Sequence, residues 1–146
     1  MEGLQGLVSL RKLYLEKNYI SRLEGLEQCT ALEELSLGDQ QTETEFTLDE
    51  YSLVAISSSL RVLDLHLSNI RHTKALYYLE YLETLNLSRN MVEDFETEIY
   101  PFLQTITGLN CLDLSFNPVI LTPKYRDKVV LFTRRLSELD GKKITN

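Results

Sequence analysis

A short leucine pattern recurs along almost the whole chain and limits its fold more than any other feature. Three segments match L-x-x-L-x-L-x-x-N-x-I/V without a gap, and these complete copies start at Leu10, Leu82 and Leu109. Two weaker copies start at Leu32 and Leu60. The first leucines of successive copies lie 22, 28, 22 and 27 residues apart. Such spacing is typical of a solenoid built from repeats of about 20–29 residues.

Each copy predicts a short strand followed by an inward turn. Alternate side chains of a strand face opposite sides, so the leucines of L-x-L point into the stack of repeats. The asparagine amide both donates and accepts hydrogen bonds, so it can satisfy backbone groups that the turn buries. Gln40 and Ser68 stand in this position in the two weaker copies, and we expect looser turns there.

Since one repeat cannot bury its leucines alone, the copies must stack to form a common core. The sequence therefore predicts an α/β leucine-rich-repeat fold: a right-handed solenoid with a parallel concave sheet, short convex helices and a C-terminal helical cap. We expect a single domain over residues 1–146, with a partial first repeat at 1–9, repeats at 10–117 and a cap at 118–146. Residues 1–9 match the convex half of a repeat, which favours either a longer array or a chain that pairs through this end.

The segments between the strands predict helical or 3₁₀ turns on the convex side. The run Thr47-Leu48-Asp49-Glu50 fits a capping box for a helix in the first long repeat. In the second long repeat, Pro101 suits a first helical turn, and its inward stripe is expected to be Phe102, Leu103 and Ile106. Residues 38–46 are polar and acidic, and they predict a flexible loop.

The C-terminal segment predicts a helix that covers the last repeat. Val129, Phe132 and Leu136 recur at helical spacing. Leu139 follows them along the same edge, and Asp140 with the next glycine indicates a turn.

Composition narrows the classes of partner. The chain has 15 Lys and Arg against 22 Asp and Glu, for a net charge of −7. An acidic chain is repelled by phosphate backbones and anionic lipids, so we expect neither a nucleic-acid nor a membrane partner. Cys29 and Cys111 have no metal-ligand spacing and are expected to stay reduced. The first residues lack the features of a signal peptide, and a cytoplasmic location is expected.

Several motifs of the cap go beyond the general repeat. Asn117-Pro118-Val119, the pair Tyr125-Arg126 and the run Leu139-Asp140-Gly141 follow the 22-residue repeats. This combination resembles the SDS22-like leucine-rich-repeat family with its C-terminal cap. The resemblance implies an intracellular adaptor whose partner is the protein phosphatase 1 catalytic subunit. The alternative it leaves open is tubulin or dynein, with a location at the cytoskeleton, centrosome or cilium.

The curved strand face is the expected binding surface, because solenoids of this kind use their concave side to bind partners. Carboxylates recur there, and aromatic and apolar side chains among polar groups are typical of protein interfaces. The predicted partner-binding residues are Tyr14, Glu16, Glu34, Asp64, His66, Leu67, Asn86, Arg89, Asp113 and Phe116.

An enzyme is the disfavoured third possibility. His66 with Asp64 has the residue types of a general base, but no nucleophile or phosphate-binding loop accompanies the pair. No catalytic residue, metal site or cofactor is therefore expected. Lys128-x-Val130-x-Phe132 has the spacing of a short phosphatase-docking motif. That motif binds as an extended strand, whereas these residues lie in the helical pattern of the cap, so we interpret them as part of the cap.

Overall fold

The computed structural model describes residues 1–145, and within them the chain forms a seven-stranded sheet and a separate two-stranded sheet. The strands are β1 (Lys12–Tyr14), β2 (Arg22–Leu23), β3 (Glu34–Ser36), β4 (Thr47–Leu48), β5 (Val62–Asp64), β6 (Thr84–Asn86), β7 (Cys111–Asp113), β8 (Glu138–Leu139) and β9 (Lys142–Lys143). The helices are α1 (Glu50–Ile56), a 3₁₀ helix (Lys74–Tyr78), a π-helical turn (Phe95–Ile99), α2 (Tyr100–Thr105), a second 3₁₀ helix (Pro118–Leu121) and α3 (Tyr125–Phe132).

The large sheet follows the repeats in order. β1, β3, β5, β6, β7 and β8 pair in parallel, and β9 closes the edge in antiparallel fashion. The central leucines of the parallel strands lie opposite one another, in the order Leu13, Leu35, Leu63, Leu85, Leu112 and Leu139. The last five are at most 1% exposed. Each buried leucine contributes roughly 1.5–3 kcal/mol, so this row is the main source of stability on the strand side.

An amide ladder closes the turns behind the strands. Asn90 donates to the carbonyl oxygens of Leu65 and Leu87, both at 2.9 Å, and it accepts from the amides of Ser68 and Ile70 at 2.9 and 3.0 Å. Asn117 makes equivalent bonds one repeat later. One side chain thus joins two successive repeats.

The two weaker copies differ from each other at this position. Gln40 donates to the carbonyl oxygens of Leu15 and Leu37 at 2.8 and 3.0 Å and accepts from the Ile20 amide at 2.9 Å. The expectation of a looser turn at Gln40 is therefore wrong, because the longer amide still reaches both repeats. Ser68 uses its hydroxyl as a donor to Leu37 at 3.1 Å, and its own amide relies on Asn90.

The convex side of the first two repeats begins with strands rather than helices. β2 and β4 pair in parallel, with Arg22 opposite Thr47. Thr47 therefore lies in a strand, and the predicted capping box is wrong. α1 begins at Glu50, and Asp49 is its N-cap, with its carboxylate accepting from the Ser52 amide at 3.1 Å. The helix buries Leu53 and Ile56.

The second long repeat carries a longer helical segment than the sequence indicates. The π-helical turn, capped by the Asp94 carboxylate, continues directly into α2. Pro101 lies in the first turn of α2, and Phe102, Leu103 and Ile106 are each at most 2% exposed. The extra turn adds Phe95 and Ile99 to the same core.

The cap covers the last repeat through a helix and a short hairpin. α3 buries Val129, but it ends at Phe132, so Leu136 lies beyond the helix and is only partly buried. The hydroxyl of Tyr125 donates to the Asp140 carboxylate at 2.9 Å, and the other oxygen of Asp140 accepts from the Leu114 amide at 2.6 Å. The cap motifs thus belong to one network attached to the end of β7.

The first residues and the acidic loop are both attached to neighbouring parts of the solenoid: Met1 and Leu4 pack against the core, and Phe46 at the end of the loop is 1% exposed. The amino group of Met1 lies 3.4 Å from the Glu24 carboxylate, and turns at Leu7 and Leu10 lead into β1. In the loop at 38–46, the Gln41 amide donates to the Asn18 carbonyl at 2.7 Å. None of the helices within residues 1–145 has the length and apolar character that a membrane crossing requires.

Candidate functional site

The strand register places the outward side chains in two rows. The first row consists of Lys12, Glu34, Val62, Thr84 and Cys111. The second consists of Tyr14, Ser36, Asp64, Asn86 and Asp113. We call these two rows, together with Glu16, Gly38 and His66, the concave face. Adjacent strands lie about 4.8 Å apart, so neighbours within a row can contact one ligand together.

A third row follows where the strands turn inward. It consists of the residues that precede each ladder position: Lys17, Asp39, Leu67, Arg89 and Phe116. All five have a left-handed backbone, with φ between 46° and 59°. We call this row the rim. The conformation costs a non-glycine residue about 1–2 kcal/mol, and the inter-repeat hydrogen bonds of the turn hold it in place.

Three neighbouring strands carry the same local hydrogen bond in the second row. The side-chain Oδ1 atoms of Asp64, Asn86 and Asp113 each accept from the amide two residues further on, at 2.9–3.0 Å. This bond fixes the direction of each side chain. Among residues 1–145, Oδ2 of Asp64 and of Asp113 accepts no hydrogen bond, so each carboxylate keeps one oxygen that can accept from a ligand.

Glu34 is already engaged by its neighbours. The Tyr14 hydroxyl donates to it at 2.5 Å, and the Lys12 amine lies 3.7 Å away. The hydrogen bond to Glu34 raises the pKa of the Tyr14 hydroxyl. Glu34 lies one row away from Asp64 and Asp113, so the three carboxylates do not occupy equivalent positions.

A compact polar group lies at the start of the concave face, where β1, β3 and β5 adjoin. Ser36 is 6% exposed, and its hydroxyl is buried without a hydrogen-bond partner among the described residues. The hydroxyl lies close enough to the Glu16 carboxylate to lower the pKa of that carboxyl, and the nearby His66 adds to this effect. His66 occupies the space that a side chain at Gly38 would need, and its Nδ1 atom lies 2.7 Å from Asp64.

The rim ends in an exposed apolar and aromatic group. Leu67 is 46% and Phe116 is 66% exposed. Between them, the Arg89 guanidinium lies over the Phe116 ring, 4.3 Å from its centre. A stacked arginine and an exposed aromatic ring are the residue types that dominate protein-interface energetics.

The chemistry of an enzyme is poorly represented on this face. His66 contacts Asp64, but no hydroxyl or thiol among the described residues forms a hydrogen bond with the imidazole. Grooves of about 400 Å³ lie beside β4 and beside Arg61, and neither is lined by a residue of the concave face. Within residues 1–145, no group of three or more His, Cys, Asp or Glu side chains is placed to hold a metal ion.

The structure places every predicted binding residue on the concave face or the rim. It brings Glu16, Asp64 and His66 together, and it joins Arg89 with Phe116, while Asn86 lies between the two groups. Sequence reasoning missed Ser36 as a site residue. Its place in the second row follows from the L-x-L phase, but its burial depends on side chains from the neighbouring strands.

Stacked leucine rows, an amide ladder and parallel strands that follow the repeats occur together in this chain. The chain has the leucine-rich-repeat fold. No protein-family model matches the sequence.

Two solved structures are similar to this leucine-rich-repeat chain. One is a Drosophila melanogaster SNF/U2A′ complex, matched over 100% of this chain and 68% of that one, with 21% identity and a TM-score of 0.56. Another is the structure of Chaetomium Mex67:Mtr2 subunits, with 26% identity and a TM-score of 0.54. That match covers 64% of this chain and 66% of the other, so the likeness spans about two thirds of each of the two known chains.

Proposed function

We propose that the chain is an adaptor that binds a partner protein through the concave face and the rim. The observation that carries this proposal is the uncovered side of the large sheet. Parallel sheets are normally covered on both faces, whereas here the described helices pack against the core side, and Tyr14 and Phe116 are 55% and 66% exposed on the other. Leaving these aromatic rings in water costs free energy that a partner would recover.

Two chains of similar architecture occur in protein complexes, which supports a protein partner. The known structures named above are complexes, SNF/U2A′ and Mex67:Mtr2. Similar architecture alone does not identify a partner, since one fold serves many functions. The support therefore rests mainly on the residues of the face.

The first candidate for the partner is the catalytic subunit of protein phosphatase 1. The support is the cap, whose Tyr125, Arg126 and Leu139-Asp140-Gly141 resemble the SDS22-like family and protein phosphatase 1 regulatory subunit 42. Lys128, Val130 and Phe132 do not provide the docking segment in this proposal, because α3 holds them in a helix. A cytoplasmic location, with association at the cytoskeleton, centrosome or cilium, belongs to the same proposal.

The test measures binding of the purified catalytic subunit to the immobilised chain. We expect the wild type to bind, and the double variant Asp64→Lys/Asp113→Lys to bind at least about tenfold more weakly, because charge reversal at two central positions opposes a partner matched to carboxylates. The control is Glu33→Lys/Glu80→Lys, which changes the net charge equally at exposed positions outside the concave face. Melting curves establish that all variants are folded.

Each result has a separate meaning. Equal weakening by both double variants would indicate long-range charge alone and would reject the concave face as the binding surface. Wild-type affinity in the Asp64 and Asp113 variant would reject it as well. If the phosphatase does not bind but tubulin or a dynein chain does, with the same dependence on Asp64 and Asp113, the adaptor function stands and the phosphatase assignment falls.

A further inference from the structure

Three residues with oxygen acceptors, from three successive repeats, lie at neighbouring positions around the end of β3. The Glu16 carboxylate follows β1, the Ser36 hydroxyl ends β3, and Oδ2 of Asp64 ends β5. The Leu15 amide donates to the Ser36 carbonyl at 2.8 Å, and the Lys17 amide donates to the Gly38 carbonyl at 3.1 Å. These two bonds place Glu16 alongside the segment from Ser36 to Gly38.

Ser36 distinguishes this place from an ordinary acidic surface. Its hydroxyl is buried, yet among the described residues it forms no hydrogen bond of normal geometry, and it is the only buried side-chain oxygen or nitrogen there of which this is true. An unpaired buried hydroxyl costs about 1–3 kcal/mol. Such a group in a native protein needs an explanation, and a bound donor supplies one.

The two carboxylates and the hydroxyl of this group indicate which charge and which chemical type of ligand can bind there. Two carboxylates repel an anion and attract a cation. A metal ion is disfavoured, because residues 1–145 contain no set of three metal-ligating side chains. A lysine ammonium group has three donors and no acceptor, which matches three acceptors on three strands.

We propose that Glu16, Ser36 and Asp64 form a receptor for the side-chain ammonium group of a lysine on the partner protein. The proposal rests on the adaptor function proposed above and adds the chemistry of one contact. The Ser36 oxygen has almost no exposed surface of its own, so a flanking side chain turns aside when the lysine enters. Tyr14 and His66 flank Ser36, and their side chains are held by single contacts to Glu34 and Asp64.

The first experiment measures the affinity of the phosphatase 1 catalytic subunit for three single variants. Glu16→Gln and Ser36→Ala are each expected to weaken binding roughly three- to tenfold, because each removes one hydrogen-bond acceptor for the ammonium group. Glu33→Gln is the matched control, since it removes a carboxylate charge close by but outside the receptor. Ser36→Ala separates the receptor from general charge attraction, because this substitution leaves the net charge unchanged.

The second experiment does not depend on the phosphatase. The chain labelled with ¹⁵N is titrated with Nα-acetyl-lysine amide, with the arginine analogue and with the uncharged norleucine analogue, and amide shifts are followed by NMR. We expect the lysine analogue to shift the amides around residues 16, 36 and 64 and the norleucine analogue to leave them unchanged. With Ser36→Ala, we expect the same shifts to require a roughly three- to tenfold higher concentration of the lysine analogue.

The two experiments separate the two proposals. If the phosphatase binds and neither Glu16→Gln nor Ser36→Ala weakens it, the receptor is rejected while the adaptor function stands. If the phosphatase does not bind but the lysine analogue shifts these amides, the partner assignment falls and the receptor stands. Larger shifts with the arginine analogue would overturn the choice of an ammonium group. Shifts scattered evenly over the acidic surface, or no shifts at all, would overturn the receptor itself.

Discussion

At the scale of single residues, Asn90 shows how one side chain connects two repeats. It is 3% exposed and bonds to backbone groups of its own repeat and of the one before. A buried backbone group that loses its partner costs about 1–3 kcal/mol. The ladder at Asn90 therefore stabilises the turn by pairing backbone groups that it buries.

We expect Asn90→Ala to lower the free energy of unfolding by about 3 kcal/mol, because it leaves buried amides and carbonyls of two repeats unpaired. Urea denaturation measures the change. Asn18→Ala is the control, since Asn18 occupies the same position in the first repeat but is exposed, and we expect a loss below about 1 kcal/mol there. Equal losses at both positions would contradict the ladder as a buried network.

Asp140 is a second residue at which a substitution is expected to change the stability of the fold measurably. Burial raises the pKa of its carboxyl above the ordinary value, although the bonds from the Leu114 amide and the Tyr125 hydroxyl oppose this. Well below the unfolded pKa of about 3.9, aspartate is protonated in both the folded and the unfolded chain. As the pH rises from the unfolded pKa through the raised folded pKa, the unfolded chain ionises first, so the wild type loses stability over that window.

Asp140→Asn removes this charge and keeps an oxygen that can accept from the Leu114 amide. We expect the variant to melt at a higher temperature than the wild type at pH 7, with a difference that shrinks as the pH falls towards 4. Calorimetric melts at several pH values measure it. A difference that grows on acidification would mean that the ionised carboxylate stabilises the cap.

At the scale of elements, the start of α1 shows how two possible N-cap residues compete for the same helix. Thr47 and Asp49 are both good capping residues, but pairing with β2 holds Thr47 in an extended strand. Asp49 then lies at the point where the chain leaves β4 and the helix begins. The pairing of β4 with β2, a strand of the preceding repeat, therefore determined which residue is the N-cap of α1.

Asp49→Ala is expected to destabilise the chain by about 1 kcal/mol, because the Ser52 amide loses its acceptor. Thr47→Ala is the comparison, and we expect a change within about 0.5 kcal/mol because this side chain is exposed. Chemical denaturation measures the free energy of unfolding of the two variants and shows which residue is the N-cap of α1. A larger loss from Thr47→Ala would favour the capping box.

At the scale of the whole molecule, each repeat is stabilised mainly by its immediate neighbours. Leu63 lies between Leu35 and Leu85 and is 0% exposed, whereas Leu13 has a strand partner on one side only and is partly buried. The contribution of equivalent leucines therefore depends on their place in the stack.

We expect Leu63→Ala to cost about 4 kcal/mol and Leu13→Ala about 2 kcal/mol, because the first leaves a cavity with neighbours on both sides. Denaturation curves measure both losses under the same conditions. Similar losses would indicate that the first repeat is as tightly packed as the third.

Much of the architecture follows from the sequence by itself. The repeated L-x-x-L-x-L pattern determined the parallel sheet, the leucine rows and the outward phase of residues such as Asp64 and Phe116, because alternation along a strand is a local property. The cap motifs likewise indicated a helix and a turn at the C-terminal end, although α3 stops before Leu136.

Only the tertiary structure decided the features that depend on contacts between repeats. Gln40 completes the ladder because its amide reaches the preceding repeat, and Asp49 caps α1 because β2 holds Thr47 in a strand. Ser36 is 6% exposed and lies in register between Tyr14 of β1 and Asp64 of β5, two strands that come from other repeats. The physical reason is common to all three: a sequence pattern determines which way a side chain points, whereas burial and hydrogen-bond partners depend on residues about 20–30 positions away that only stacking brings into contact.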